Sequence, residues 1–486
     1  MSDLIYNPPG VYVNEDSLSV PNIGAVVALP ASRLAIVGPA FGYQTATEAI
    51  ALTGTDAVTL QNLGIDATSI TVTSLSGTSY VASGVDEEDT PFTNWIATQT
   101  PTEGGSEATT TIERASSSVI VSGETVYVSY RYTDSSYYLP FLSSDYDEIQ
   151  SRFGSAFNVS TGAISSPLTL AAKIAMEQGL REVVLVPTAG TGVTSVSRTN
   201  LSDAYEHLEA RSDIGVVVPM PVGIEGTDLV EGETVNIGDD LASHVTNASA
   251  DGNYRIGVLG LAKGADRSHD VLAGDIASSR VILAFPNALT YYNGYLNTTI
   301  DLDGFYLAVA MGAMIASRNP QEPLTRKSIR SFTAIPSRIL STMTPTFKNN
   351  LSENGVAVAE QTYDSRIVVR HGVATDTTSV FTREVSITRA KDTMIRLINR
   401  SIENSGLIGS ATSAETPLRV RSLVEGVLEQ ATSTDMIVDY SNLSVRTSPS
   451  DNTAIQVKFA YRPAYPLNFV NVSFSINTLT GNTAEV

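Results

Sequence analysis

The chain has no cysteine in its 486 residues. That removes disulfides, thiolate-bound zinc, iron–sulfur clusters and thiol nucleophiles from consideration. Histidine is nearly as scarce. His207, His244, His269 and His371 are all there are, and no two lie at metal-ligand spacing. Positive charge is in short supply too, with 30 Lys and Arg against 51 Asp and Glu, a net charge of -21. This balance keeps a chain soluble and repels phosphate backbones, so direct nucleic-acid binding is not expected. Long apolar runs are also missing. The longest, Leu307 to Ala316, lies between Asp303 and Arg318. It falls well short of the ~20 residues that a spanning helix needs, so no membrane insertion is expected.

Catalytic motifs are equally thin. There is no phosphate-cradling Gly-Lys-Ser loop and no HExxH pair. Gly77-Thr78-Ser79 is only faintly like a nucleophile turn and sits in a Thr/Ser-rich stretch with no helix after it. The glycines between Gly257 and Gly264 fit no dinucleotide fingerprint and suit a tight strand-to-helix connection. Asp301-x-Asp303-Gly304 has its glycine out of place for a calcium loop, so Asp303 is expected to cap a helix. Asp266, His269 and Asp270 are expected to form a charged surface at a helix start. No catalytic, cofactor or metal site is expected, no cofactor is needed, and the chain is not expected to be an enzyme.

What is present is an unusual pair of ends. Pro9-Gly10-Val11-Tyr12-Val13-Asn14-Glu15 reads as a turn followed by a short strand rather than a secretion signal. At the other end, Phe469, Asn471, Ser473 and Ser475 alternate with Val470, Val472, Phe474 and Ile476, which predicts a strand over 468–476. An unpaired strand leaves backbone N–H and C=O groups without partners. Each end therefore belongs either to its own core or to a neighbouring subunit.

Between them the period changes. Leu34 to Gly38 is a buried-strand pattern. From Thr45 to Tyr138 the composition is Thr- and Ser-rich with β-alternation, as in Thr125 to Tyr130. After Asp145, helices alternate with apolar strands at Glu182 to Val186, Gly215 to Val218, Arg255 to Leu259 and Arg280 to Phe285. This alternation predicts a mostly parallel α/β sheet. The last third has helices near Pro345 to Ser352, Thr388 to Asn404 and Pro417 to Gln430, then strands at Met436 to Val445 and Ile455 to Tyr461.

The expected fold is a multidomain mixture of α/β and α+β units. It has an N-terminal strand arm (1–20), a first core segment (21–44), a β-rich inserted outer domain (45–140), a central α/β domain (141–345) and a C-terminal α+β domain with a terminal strand tail (346–486). The 388–404 helix carries Arg389, Lys391, Arg396 and Arg400, three of them seven and four residues apart on one face. A basic stripe in so acidic a chain is either a solvated face or a binding face.

In their order, these pieces resemble the contractile tail sheath proteins of bacteriophages and related contractile injection systems. The matching pieces are the opening Pro9 to Glu15, Ala35-Ile36-Val37-Gly38-Pro39-Ala40-Phe41-Gly42, Phe153-Gly154 with the helix and strand to Val186, Leu351 to Val356, the basic helix and the β-rich end. About two thirds of the chain is covered, and 45–140 matches nothing. The resemblance implies a structural subunit in stacked hexameric rings around an inner tail tube, in contact with baseplate and tail-terminator proteins. Pro9, Gly10, Val11, Tyr12, Val13 and Glu15, with Phe469, Val470, Val472, Phe474 and Ile476, would link subunits by strand exchange. Arg389, Lys391, Arg396 and Arg400 would face the tube. Assembly in the host cytoplasm into a virion tail would follow, and contraction would drive the tube through the host envelope. A phage-derived bacterial particle is the alternative setting. A hydrolase on the α/β unit and a receptor-binding adhesin are the competing classes. A positioned nucleophile and histidine would favour the first, and the Thr/Ser-rich insert suits the second.

Overall fold

The computed structural model describes residues 32–40, 44–65, 67–85, 91–101, 108–132, 135–188, 195–224, 236–265, 268–468, 470, 472–473, 475–477 and 483–485. Its centre is a nine-stranded sheet. The spatial order is Phe141–Ser143, Val183–Pro187, Arg33–Gly38, Ile214–Pro219, Ile256–Gly260, Val281–Phe285, Val356–Gln361, Ile367–Val369 and Ser328–Ile329. The six inner strands are parallel, and antiparallel pairs close both edges. Leu34 to Val37 and Val183 to Val186 are buried on both faces, which is why they read as unbroken apolar runs.

Helices cover both faces. Gly304–Ala316 is apolar all round because it lies between the sheet and the Pro167–Glu177 helix. Close approach demands glycine here. A Cβ on Gly260 would sit 2.2 Å from the Gly304 carbonyl oxygen, and one on Gly312 would sit 2.8 Å from Val218. Gly257, whose register partner is Val217, packs instead on Leu241 of the Ile237–Ala250 helix across the sheet. Helix starts follow from local chemistry. Ser166 accepts from Thr169 N–H ahead of Pro167, Asp145 accepts from Asp147 N–H, and Ser197 and Asn200 form a capping box.

Two smaller cores lie apart from this one. Leu52, Val72, Trp95, Ile112, Val126 and Val128 fill the first, between the strands of residues 44–132. Met394, Leu397, Ile398, Val424, Val427 and Leu428 fill the second, where the Val385–Asn404 and Thr416–Ser433 helices pack on the Ile437–Thr447 and Ile455–Pro463 hairpin. Tyr137 is buried in the main core against Phe153, so the chain has returned to the α/β body before residue 140.

Several expectations need correction. The Ala288–Asn293 and Thr298–Asp303 hairpin and the Val356–Gln361 strand were not anticipated. Asp303 precedes its helix without capping it, because its Oδ1 accepts from Lys263 N–H at 2.9 Å instead. His269 is not surface. It is buried edge-to-face on Phe285, and desolvation pushes its pKa down to about 4. Asp266 lies outside the described residues. The terminal strand is also shorter than expected: Ser475–Asn477 pairs with Thr483–Glu485, while Asn468, Val470, Val472 and Ser473 join no strand. Val470 and Val472 are 73% and 80% exposed. A strand with nothing to bury its apolar side chains against gains too little to form. Ile476 is in the short strand, whereas Phe469, Phe474 and the whole of Pro9 to Glu15 fall outside the described residues.

Candidate functional site: the helix that joins two cores

The Val385–Asn404 helix is the wall between the α/β body and the last core. Ala390, Met394, Leu397, Ile398 and Ile402 recur at helical spacing and enter the last core. The opposite face carries Arg389, Asp392 and Arg396, at spacings of three and four, and meets the body. The structure therefore corrects the single outward stripe expected from the sequence.

Arg389 is 8% exposed, and its Nη2 donates to the carbonyls of Ile315 at 2.6 Å and Arg318 at 2.9 Å. It thus serves the open C-terminal carbonyls of the Gly304–Ala316 helix, where the helix dipole favours a cation. Burial pulls its pKa down to about 10, so it stays charged at neutral pH. Asp392 is held by a bidentate pair from Arg280, at 2.6 and 2.8 Å, with both side chains largely buried. Arg396 donates to the Tyr254 carbonyl and lies 5.8 Å from the centre of the Tyr254 ring. Lys391 is half-buried, and Arg400 is exposed at the far end of the helix.

Arg255 repeats the device. It is 1% exposed and donates to the carbonyls of Leu208 at 3.0 Å and Arg211 at 2.9 Å, at the end of the Arg198–Glu209 helix. Its Nη1 is also 3.1 Å from His244 Nε2. Burial, then the Arg255 charge, pushes His244 down to about 3, so that histidine is neutral.

Arg255, Arg280 and Tyr254 were not singled out from sequence. A signal existed. Arg33, Arg255 and Arg280 stand at or immediately before three parallel strands, and parallel strands begin at one edge of a sheet. The base of the C-terminal tail is also fixed. Asn468 Nδ2 donates to Glu384 Oε1 at 3.0 Å, and His371 Nε2 lies 2.8 Å from the same oxygen.

The nine-stranded sheet, the two satellite cores and the helical wall make up a fold similar to that of solved contractile sheath proteins. The anti-feeding prophage helical sheath in its contracted state matches over 97% of this chain and 99% of its own, with a TM-score of 0.54 at 12% identity. The PVC sheath complex of an extracellular contractile injection system, also contracted, matches over 98% and 99%, with a TM-score of 0.51 at 10% identity. In sequence, the chain is similar to the tail sheath protein of Mycobacterium phage Bxz1, at 30% identity over 364 residues, or 74% of this chain. The chain spans 60% of that relative's length. No family profile matches it. The resemblance to contractile sheath proteins thus holds in sequence and in fold.

Proposed function

We propose that this chain is the structural subunit of a contractile tail sheath. It stacks in hexameric rings around an inner tube and shortens to drive that tube through a host envelope for genome delivery. The observation that carries this reading is the 30% identity to a phage tail sheath protein over 364 residues. No chemistry is required of the subunit. Contraction would draw its free energy from apolar surface newly buried between subunits. The anti-feeding prophage and PVC neighbours keep a phage-derived bacterial particle as a second setting for the same role.

Pro9 to Glu15 and the exposed segment around Val470 and Val472 would supply strands to neighbouring subunits. Backbone pairing links copies without dictating their outer side chains. Arg389 and Arg396 are engaged inside the subunit, so the exposed Arg400 at the far end of the helix is the residue best placed for the tube-facing role. Baseplate and terminator proteins would meet the ends of the stack, assembly would take place in the host cytoplasm, and the subunit would not be an enzyme. Deleting Met1 to Glu15 tests the linkage: the truncated chain should melt cooperatively yet form no long tubes. Loss of cooperative melting would instead place that strand in its own core.

A further inference from the structure

Between the helical wall and the α/β body lies a cleft of about 120 Å³, bordered by Arg389 and Arg396 from the helix and by Arg255 and Arg318 from the body. Thr393 also lines it, four residues after Arg389 on the same helical face. Asp392 is the one carboxylate among the lining residues, and Arg280 takes both its oxygens, at 2.6 and 2.8 Å. Glu322, the ion-pair partner of Arg318 at 3.5 Å, is shared with Lys327 at 2.6 Å. Positive charge is therefore in surplus around the cleft. The surplus is felt across it. Burial, and then the charge of Arg396, pulls Arg255 down to about 10, and the Arg318 charge adds to the effect of burial on Arg389.

Donors stand open as well. Arg389 and Arg396 each use Nη2 on backbone carbonyls, whereas their Nε and Nη1 groups donate to no acceptor among the described residues. Arg318 Nη1 is buried and also lacks an acceptor among them. Carbonyls satisfy donors but carry no net charge, so they leave the guanidinium groups repelling one another. Buried donors are nearly always satisfied, and the planar guanidinium fork matches the oxygens of an oxyanion. We propose that the cleft binds one small oxyanion, of the size and charge of inorganic phosphate. Donors of Arg389 and Arg396 hold it, with the charges of Arg255 and Arg318 behind them, and the bound ion clamps the wall helix to the α/β body. The site lies within one subunit and does not depend on the sheath reading.

Isothermal titration of inorganic phosphate into the full-length chain tests this, with sodium chloride holding the ionic strength constant. Binding should saturate at one ion per subunit, and phosphate should raise the melting temperature of the parent. Arg396→Gln removes a charged donor and should weaken binding by about tenfold or more. Thr393→Glu lends the cleft a carboxylate of its own. It should abolish phosphate binding, yet melt no lower than the parent does without phosphate. No saturable binding, or a melting rise equal in the parent and both variants, would reduce the effect to the general action of phosphate on a protein surface and overturn the proposal. A Thr393→Glu chain that still binds phosphate, or that melts below the phosphate-free parent, would overturn it too. Stabilisation confined to protein concentrations at which copies associate would give the seat to a carboxylate of a second copy, and the proposal would fail.

Discussion

Arg389 shows how one side chain holds two units together. Its guanidinium serves two carbonyls at the end of a helix from another unit, and both lose a charged donor if it is removed. Arg389→Met should cost about 1–3 kcal/mol, read as a lower denaturation midpoint. Arg280→Met should cost more, about 3–5 kcal/mol, because it strands the buried Asp392 without its counter-ion. Arg400→Glu, by contrast, should leave the melting temperature within experimental scatter, since that side chain is exposed. Buried histidine adds a pH dependence. His269 and His244 are held near 4 and 3, below the ~6.5 of an unfolded chain, so on acidification the unfolded state takes up protons first. Their contribution is intact above pH ~6.5 and falls away as pH drops toward those values, by up to ~1.4 kcal/mol per pH unit for each histidine. His269→Leu should flatten the fall of melting temperature below pH 6.5. An unchanged slope would remove His269 from the groups that set the acid sensitivity. Sequence reasoning found the basic residues of this helix but not their direction. Periodicity says which residues share a face, whereas the partners, Arg280 and Tyr254, lie more than a hundred residues away.

At the scale of elements, the parallel strands were legible because burial on both faces leaves an unmistakable apolar run, as in Val183 to Val186. The helices were legible from Ser166-Pro167 and Asp145 caps. The Ala288–Asn293 hairpin was not, because exposed Tyr292 and the polar Thr298 and Thr299 give it no clean alternation. The 468–476 strand shows the opposite failure: its alternation is clean, yet among the described residues only its end, Ser475 and Ile476, pairs within the subunit. Val472→Pro should accordingly leave monomer melting unchanged while impairing assembly, as measured by sedimentation of polymer. Normal polymer yield would remove this segment from the subunit contacts. Packing glycines give a contrasting expectation inside the body. Gly260→Ala would press on the Gly304 backbone and should destabilise the monomer by about 1–3 kcal/mol.

At the scale of the whole molecule, the separate core of residues 52–132 suggests that the Thr/Ser-rich region is an outer addition. A linker replacing 45–132 should still give tubes, only thinner. The cut must stop before Tyr137, which belongs to the main core. Shifts in composition and period suggest the order of the units, whereas Tyr137 and Tyr138 look like more of the insert although Tyr137 packs in the main core. The central claim, that many copies of this chain build a contractile tube, is tested most directly by electron microscopy of the purified full-length protein. Hollow tubes of stacked six-fold rings are expected. Discrete particles at every protein concentration and salt would contradict the account.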